Sequence, residues 1–241
     1  MKSNSLLSFF VLLLAAGLSI SGCSSSNVEP NPEPTNHTLK QGDTFTYHEH
    51  QTDGKDQLIL GTDTTVVATV ASTGLTIAGR SNVSMVIMPE DTVFIATSGD
   101  SMIYVLQDSI DITGIATIPQ IWAPCAFHAG AITIYKDSVD IVTNGVAAKV
   151  AITIDVQYDK VDTVTIGTEK LQSHVMEKKV LVDFFVPIAQ QHYTTLVTST
   201  YHYAPKIGFF TARSIKFDSN SDQSPYPNGT TYDDLVSYQF K

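Results

Sequence analysis

The sequence contains little cysteine and little positive charge. Two of its 241 residues are Cys, and 14 Lys and Arg stand against 24 Asp and Glu, which gives a formal net charge of −10. Two cysteines allow at most one intrachain disulfide. A chain with few cations and no basic stripe is a poor candidate for binding nucleic acid. We therefore expect a domain stabilised by its packed core, and no nucleic-acid partner.

Short motifs typical of enzymes are also absent. The sequence has no G-x-S-x-G, H-E-x-x-H, phosphate loop or dinucleotide fingerprint. Residues Gly99-Asp100-Ser101-Met102 start like the G-D-S-L motif of one lipase and esterase family, but that motif needs a later D-x-x-H. No His in this chain has Asp three residues before it. The sequence therefore predicts no catalytic residues, no cofactor and no metal site, and favours a protein that is not an enzyme.

The apolar run near the N terminus is too short to remain as a membrane span. It extends from Leu6 to Ile20 and follows a single cation, Lys2. A helix needs roughly 20 apolar residues to cross the hydrocarbon core, whereas a run of this length is typical of a signal peptide. We interpret residues 1–22 as an export signal.

The residues that close this run are Ile20-Ser21-Gly22-Cys23. They resemble the lipobox of bacterial lipoproteins, which is an aliphatic residue, two small residues and Cys. The resemblance implies cleavage before Cys23, a diacylglyceryl thioether on its sulfur, an acyl group on the new N terminus and hence a membrane partner through the lipid anchor. Several acyl chains give a stable anchor where one is marginal. The alternative is a secreted soluble protein in which Cys23 is coincidental.

The residue after the cysteine indicates the membrane to which such a lipoprotein is sent. Ser24 stands where an Asp marks inner-membrane retention in enterobacterial lipoproteins. We expect an outer-membrane lipoprotein with its domain in the periplasm, with the cell surface as the alternative. Acylation of Cys23 also leaves Cys125 without a disulfide partner.

The mature chain divides into a tether and one domain. Residues 23–42 are predicted to be a lipidated N terminus followed by a Pro-, Ser- and Asn-rich tether. The alternating prolines Pro30, Pro32 and Pro34 favour an extended spacer of about 3.1 Å per residue. Residues 43–241 show no further linker and are predicted to form a single domain.

Period-two alternation dominates this domain. Val150, Ile152 and Ile154 alternate with polar or small residues, which predicts a strand with one buried face. Short runs rich in Val, Ile, Thr and Tyr, punctuated by turn residues, predict antiparallel neighbours. Predicted strands before that alternating run are Thr64–Ser72, Leu75–Gly79, Val83–Met88, Thr92–Thr97 and Ser101–Gln107. Those after it are His174–Val186, which we expect to be central, Tyr193–Tyr203, Phe209–Phe217 and Leu235–Phe240.

Part of the domain resembles a known group of lipoproteins. Val164-Thr165-Ile166-Gly167-Thr168 and Tyr203-Ala204-Pro205-Lys206-Ile207-Gly208-Phe209 are similar to a strand entry and a closing hairpin in uncharacterised lipoproteins. Those proteins look like relatives of the periplasmic lipoprotein carrier and its outer-membrane receptor, which are curved half-barrels that shelter acyl chains. The chain departs from the first motif, with Ile166-Gly167 where Pro-Ala is usual. The resemblance implies a mainly β fold with a single antiparallel, strongly curved sheet, as an open half-barrel or sandwich-like, with few short helices.

Two groups of residues could carry chemistry. His48 and His50 lie at i and i+2 on one predicted strand face, close enough to share a metal, but we interpret them as solvent-facing because Phe45 and Tyr47 lie opposite. Cys125 and His128 could form a nucleophilic pair. The alternative, which we favour, is a buried loop from Trp122 to His128 in which the Cys packs as a small hydrophobe.

We expect a binding or carrier module for an apolar or amphipathic ligand, or for a protein partner. A structural or surface-interaction lipoprotein with a filled core is the alternative, and a hydrolase-type enzyme comes third. The distinguishing feature is whether inward side chains fill the sheet or leave a groove. The candidate lining residues are Val180, Val182, Phe184, Val197, Tyr201 and Phe209.

The lipobox predicts a modified N terminus. Protein isolated from membranes is expected to give an N-terminal peptide that begins at an acylated Cys23. Cys23→Ala removes the thiol that receives the diacylglyceryl group, so the variant is not expected to be processed in the same way. Mass spectrometry of the N-terminal peptide measures both outcomes, and an unmodified Cys23 in mature protein would contradict the interpretation.

Overall fold

The computed structural model describes residues 37–89, 91–97, 102–107, 110–112, 116–118, 120–126, 130–143, 145–221 and 227–241. The predicted signal peptide, Cys23, residues 24–36 and His128 lie outside these ranges.

The described residues form β-strands joined by turns and loops, with no helix among them. Within this part of the chain, therefore, no helix could span a membrane. The strands are β1 Thr44–Asp53, β2 Thr64–Ile77, β3 Arg80–Ile87, β4 Thr92–Thr97, β5 Met102–Gln107, β6 Ile110–Ile112, β7 Ala116–Ile118, β8 Ile121–Ala126, β9 Ile132–Thr143, β10 Val146–Ile166, β11 Glu169–Val186, β12 Gln191–Ala204, β13 Phe209–Ser219 and β14 Gly229–Gln239.

Twelve of these strands form one sheet in the order β8-β5-β4-β3-β2-β1-β14-β13-β12-β11-β10-β9, and β6 pairs with β7 separately. Every pairing is antiparallel. The sheet curves until it is nearly closed into a barrel, with β8 and β9 as its two edges. The prediction of a mainly β fold with a single curved antiparallel sheet is confirmed.

The predicted alternation of β10 is present. Val150, Ile152, Ile154 and Val156 are buried on the inner face, whereas Gln157 beside them is exposed. β11 pairs with both β10 and β12, so the prediction that it is a central strand is also confirmed.

Because neighbouring strands are antiparallel, their connections collect at two ends of the sheet. The clasp end, as we name it, holds the start of β1, the β10–β11 turn (167–168) and the β12–β13 turn (205–208). The far end holds the β1–β2 loop (54–63), the β9–β10 turn at Gly145 and the β11–β12 turn (187–190).

Apolar side chains inside the curved sheet form two clusters. The main cluster joins β1–β5 to the clasp-end parts of β11–β13, where the rings of Phe45 and Phe209 lie 4.8 Å apart. The second cluster is smaller and lies on the inner face of β9–β12 toward the far end; it consists of Val150, Ile152, Ile154 and Val180, with Ile121, Ile134, Tyr135, Ile141, Val182, Phe184 and Val197 packed against it.

Asp43 ties the two termini of the domain together at the clasp end. Its fully buried carboxylate accepts hydrogen bonds from the backbone N–H of Lys40 (2.8 Å) and Lys241 (2.9 Å), and it contacts His37 Nε2 at 3.0 Å. Burial by itself raises the pKa of Asp43, but the backbone hydrogen bond from Lys241 and the contacts with His37 and Lys40 outweigh it and lower the pKa. The buried carboxylate is therefore held in its charged form.

The clasp includes residues 37–42, which the sequence predicts to belong to the tether. Leu39 is buried in the main core, and the backbone N–H of His37 donates to Pro205 at 2.8 Å. The Cβ of a residue other than Gly at 208 would lie 2.3 Å from the His37 carbonyl oxygen, so the segment runs close over the β12–β13 turn. The packed domain thus includes residues 37–42.

A second group of contacts at the clasp end is centred on Glu169. Glu169 accepts hydrogen bonds from Lys206 and from the hydroxyl of Tyr238, and these bonds lower the pKa of Glu169. Burial and the bond to Glu169 raise the pKa of Tyr238 to about 12. The two contacts join the β10–β11 hairpin to the β12–β13 turn and to β14.

Two predicted elements differ from the structure. The segment predicted as two strands, Thr64–Ser72 and Leu75–Gly79, is the single strand β2, in which the register against β3 shifts between Ser72 and Leu75. Gly74 takes a φ of 71° there, while the chain reverses at Ala78 and Gly79, whose φ values of 46° and 77° suit a two-residue hairpin turn. The glycine therefore accommodates a bulge, and not the turn that the sequence indicated.

The segment from Trp122 to Cys125, predicted as a buried loop, belongs to strand β8. Pro124 has no N–H to donate to a ladder, and proline within a sheet is confined to edge strands. β8 is an edge of the sheet, which explains how the proline is accommodated.

Removing the Asp43 carboxylate is expected to destabilise the domain. Asp43→Ala leaves the Lys40 and Lys241 N–H groups without their acceptor and frees both termini, so we expect a loss of about 2–4 kcal/mol in the free energy of unfolding. Chemical denaturation measures the loss. The exposed Asp218 is the control, and Asp218→Ala is expected to change stability by less than about 0.5 kcal/mol.

The contacts of the Asp43 carboxylate also make the stability of the domain depend on pH in the acid range. Because the pKa of Asp43 in the folded protein lies below its ordinary value of 3.8, its stabilising effect is present above that value and is lost as the pH falls below it. The stability difference between the wild type and Asp43→Ala is therefore expected to shrink below about pH 4. An equal difference at neutral and acid pH would contradict this account.

Candidate functional site

The cross-strand register divides the inner face into rows that run around the sheet. One row contains Met176, Tyr201, Arg213, Asp233 and Glu49, contributed by β11, β12, β13, β14 and β1 in that order. The next row toward the far end begins with Lys178 and Ser199. Polar and charged groups therefore lie between the main core and the second cluster.

Beyond these rows the inner face of β11–β13 is largely apolar and only half covered, with the hydrogen-bonded pair Thr195 and Ser219 among the apolar residues. Val182, Phe184, Tyr193, Val197 and Phe217 lie here, and we name them the inner apolar patch. Phe184 pairs with Tyr193 and Val197 pairs with Phe217. None of the five is buried, whereas Val180 beside them is. Apolar inner surface thus remains available at the far end of the sheet.

The six residues predicted to line a groove divide between three environments. Tyr201 and Phe209 belong to the main core, where Phe209 contacts both Phe45 and Phe210 at ring distances of 4.8 Å, and they have little surface left to offer a ligand. Val180 is buried in the second cluster. Val182, Phe184 and Val197 belong to the inner apolar patch, and their role as ligand contacts remains a prediction.

Arg213 is the central charge of the polar rows. Its Nε donates to Asp233 Oδ2 at 2.7 Å, and its Nη1 donates to Asp91 Oδ2 at 2.5 Å. Only 11% of the Arg213 side chain is exposed, and only 2% of that of Asp233. Burial by itself lowers the pKa of Arg213, but the two carboxylates outweigh it and raise the pKa, so the guanidinium stays charged.

The contact between Arg213 and Asp91 spans the interior of the curved sheet. Strands β14, β1 and β2 separate β13 from β3, and along a flat sheet those four steps of about 4.8 Å would put the two strands roughly 19 Å apart. An ion pair between them therefore requires the sheet to curl over. Asp91 lies in the β3–β4 turn, so this turn is fastened to the opposite wall.

Two polar groups near Arg213 bear on what the interior could bind. Asp233 Oδ1 is buried and has no hydrogen-bond partner among the described residues. Lys178 Nζ lies 5.9 Å from the centre of the Tyr201 ring, on the face that carries Val180. An amphipathic molecule on the inner apolar patch would find Lys178 and Ser199 on the side toward the clasp end, and the Thr195–Ser219 pair within the patch.

The histidines predicted to face solvent lie on the outer face. His48 Nε2 contacts Asp63 Oδ1 at 2.5 Å, and the His50 ring stacks on Tyr232 at 4.8 Å. The two imidazole centres are 5.6 Å apart. Within the part of the chain that is described, no three His, Cys, Asp or Glu side chains are placed to hold a metal ion.

The outer face also carries an open depression of about 320 Å³. It is lined by Asp155, Gln157, Glu177 and Lys179 of β10 and β11 and by residues 131–133. Thr133 donates to Asp155, and Lys179 pairs with Glu177 at 2.6 Å, so the charged groups satisfy one another.

Several residues of this region were not identified from the sequence. The exposed Tyr193 and the half-buried Phe217 complete the inner apolar patch, and Ile121 reaches the second cluster from the edge strand β8. Arg213 was detectable in principle, because alternation along β13 places it on the same face as Ile215 and Phe217, where a cation is unusual. Its partners Asp91 and Asp233 are too distant in sequence for such a signal.

This chain shows little detectable similarity to known proteins. The chain matches no protein-family model and no curated protein. Among solved structures it is similar to the hypothetical lipoprotein YmcC from Escherichia coli K12, with 6% identity, 98% of this chain and 97% of that chain covered, and a TM-score of 0.34. A likeness of this degree establishes neither a family nor a function.

Removing the Arg213 charge is expected to be costly. Arg213→Met keeps much of the side-chain volume but leaves Asp233 as a buried carboxylate without its cation, so we expect a loss of about 3–5 kcal/mol in unfolding free energy. The control is Lys206→Met, which removes one member of an exposed ion pair with Glu169 and is expected to cost about 1 kcal/mol or less. Equal losses in denaturant titrations would contradict a special role for Arg213.

Proposed function

We propose that this protein is a lipid-anchored binding module that holds an apolar or amphipathic ligand on the inner apolar patch. The observation that supports the proposal is the unequal filling of the curved sheet. The main core is closed by large side chains such as Phe45 and Phe209, whereas Val182, Phe184 and Val197 at the far end remain half exposed. Apolar concave surface with a few polar groups beside it is typical of small-molecule sites.

The polar rows fit the amphipathic form of the ligand. A chain lying along Val182, Phe184 and Val197 would place its polar end toward Lys178 and Ser199, which lie on the same face. Burying apolar ligand surface contributes about 25 cal/mol per Å², so the apolar part would supply most of the affinity and the polar groups its orientation. No covalent chemistry is needed for this role, and we propose no enzymatic activity.

Anchorage belongs to the same proposal. An acylated Cys23 would hold the domain at the outer membrane on its periplasmic side, with residues 24–36 as the spacer. The alternative function is structural: the filled main core at the clasp end favours a protein whose interactions lie on its outer surface. Ligand binding distinguishes the two.

The test compares two neighbouring phenylalanines that face opposite sides of β11. Phe184 lies on the inner apolar patch, whereas Phe185 stacks on His192 of the outer face at 4.4 Å. A protein lacking residues 1–23 is expected to bind a fluorescent fatty acid with saturation at micromolar concentration. Phe184→Glu is expected to weaken this binding about tenfold or more, because it puts a charge where apolar contact is required, and Phe185→Glu is expected to leave it within about twofold.

Fluorescence titration measures the affinities, and far-UV circular dichroism shows that both variants fold. Absence of saturable binding to the wild type, or equal effects of the two substitutions, would count against the carrier proposal. The structural alternative would then be favoured.

A further inference from the structure

The two edges of the curved sheet differ in how well they are protected from pairing with another strand. The edge strand β8 has 6 residues and contains Pro124, and both short length and proline keep an edge from pairing. The other edge strand, β9, has 12 residues and no proline, and among the described strands it is hydrogen-bonded to β10 alone. The outer backbone groups of β9 are therefore open to a further strand.

The register of the β9–β10 hairpin fixes which backbone groups of β9 point outward. Two residues separate the partners Thr143 and Val146, and in such a hairpin the partners that flank the loop exchange both hydrogen bonds. Every second residue before Thr143 therefore directs its N–H and C=O toward β10. The residues that direct these groups outward are Lys136, Ser138, Asp140 and Val142. The N–H of Ser138 agrees with this, since it donates to the Asp137 carboxylate at 2.7 Å.

Two of these residues carry opposite charges on the outer face of the sheet. Val139 is opposite the buried Val150, so its neighbours Ser138 and Asp140 have their side chains on the outer face, as does Lys136. Lys136 and Asp140 are exposed, and neither forms an ion pair within the described part of the chain. A cation and an anion thus lie at equal distances on either side of Ser138.

We propose that β9 is an interface between two copies of this protein, which pair through antiparallel β9 strands about a two-fold axis at Ser138. This pairing places Lys136 of each copy directly opposite Asp140 of the other, so that two symmetrical ion pairs form on the outer face. Because Lys136, Ser138 and Asp140 all have outward backbone groups, the three pairs that they form exchange about six hydrogen bonds. The two curved sheets then become one continuous sheet.

Charge disfavours the neighbouring registers. An axis at Lys136, Asp137 or Asp140 places that residue directly opposite its own copy, and like charges in direct opposition are destabilising. An axis at Val139 forms no direct ion pair, and an axis between two residues sets outward backbone groups opposite inward ones. Among these registers, the axis at Ser138 is the one that brings opposite charges together. This complementarity of β9 with itself identifies a second copy as the occupant of the edge.

The pairing exchanges one existing contact for another. The Ser138 N–H that would donate to the second copy now donates to Asp137. Asp137 is exposed and also accepts a hydrogen bond from the Tyr135 hydroxyl at 3.3 Å, so its carboxylate keeps that bond and gains water when the N–H leaves. No polar group is left unsatisfied by the exchange.

The test places single cysteines in β9 of the full chain and oxidises intact cells with copper phenanthroline. Cys125→Ala gives the parent chain, which shows any background from Cys23. Ser138→Cys lies on the axis, where the Cα atoms of the two copies are expected about 5.5 Å apart, a separation that a disulfide spans. A covalent dimer is therefore expected on a non-reducing gel.

Val142→Cys is the matched control, because Val142 faces the same side and is more accessible, with 74% exposed. In the proposed register it lies roughly 27 Å along the strand from its own copy, so no covalent dimer above background is expected. The substitution leaves both charges of the interface in place.

Charge reversal tests the ion pairs themselves. In the Ser138→Cys chain, Lys136→Asp sets carboxylates opposite each other, and Asp140→Lys sets ammonium groups opposite each other. Each change is expected to reduce the covalent dimer formed in a fixed time by about fivefold or more. The two reversals together exchange the signs and are expected to restore most of the dimer. Melting curves of the purified variants show that each is folded.

Three results would overturn the proposal. They are no covalent dimer from Ser138→Cys, equal dimer from Ser138→Cys and Val142→Cys, and failure of the combined reversal to restore what the single reversals lose. The first would mean that the edge stays open or pairs with a different protein. The edge of β9 and the inner apolar patch are separate surfaces, so none of these results alters the fatty-acid titration, and the two proposals fail separately.

Discussion

The contact of Arg213 with Asp233 and Asp91 is the constraint on which the shape of this protein depends. A guanidinium with little exposure is stable only where carboxylates meet it, and one of these comes from the neighbouring strand while the other comes from a turn across the interior. The hydrogen-bond ladder can form in a flat sheet or a curled one. The ion pair forms only in the curled sheet, and it therefore helps to select the nearly closed barrel among the shapes that the ladder permits.

This row of charges also separates two parts of the interior that have different properties. Toward the clasp end, aromatic side chains from β1, β12 and β13 fill the space, with Tyr47 donating to the Phe210 carbonyl at 2.7 Å. Toward the far end, long strands continue past the main core, and their inner faces remain partly uncovered on β11–β13. The difference follows from strand length: β10 and β11 have 21 and 18 residues, whereas β3, β4 and β5 have 8, 6 and 6. Short strands cannot cover the whole length of long ones.

Local sequence patterns predicted most of the strands of the fold but few of the residues of the candidate site. Alternation placed β4 at Thr92–Thr97 as the structure has it, and the predicted central strand at His174–Val186 corresponds to β11. Predictions failed where they took a glycine or a proline as the sign of a turn or loop. Gly74 lies in a β-bulge, and Pro124 lies in an edge strand. Whether Phe209 lines a groove or fills a core depends on Phe45, which is its neighbour only after the sheet has curled. The separation of Phe45 and Phe209 in the sequence does not reveal that they are in contact.

The Asp43 clasp has a mechanical consequence. Any pull transmitted along the chain from residues before His37 reaches the barrel first at His37 and Leu39, and then at Asp43 and at Thr44, the first residue of β1. β1 is hydrogen-bonded on both sides, to β14 and to β2. Force directed along it loads both ladders in shear, so many hydrogen bonds share the load at once. A chain that entered at the edge strand β8 would instead be peeled away one bond at a time. Entry through a doubly paired strand therefore makes the barrel resistant to tension applied at its N-terminal side.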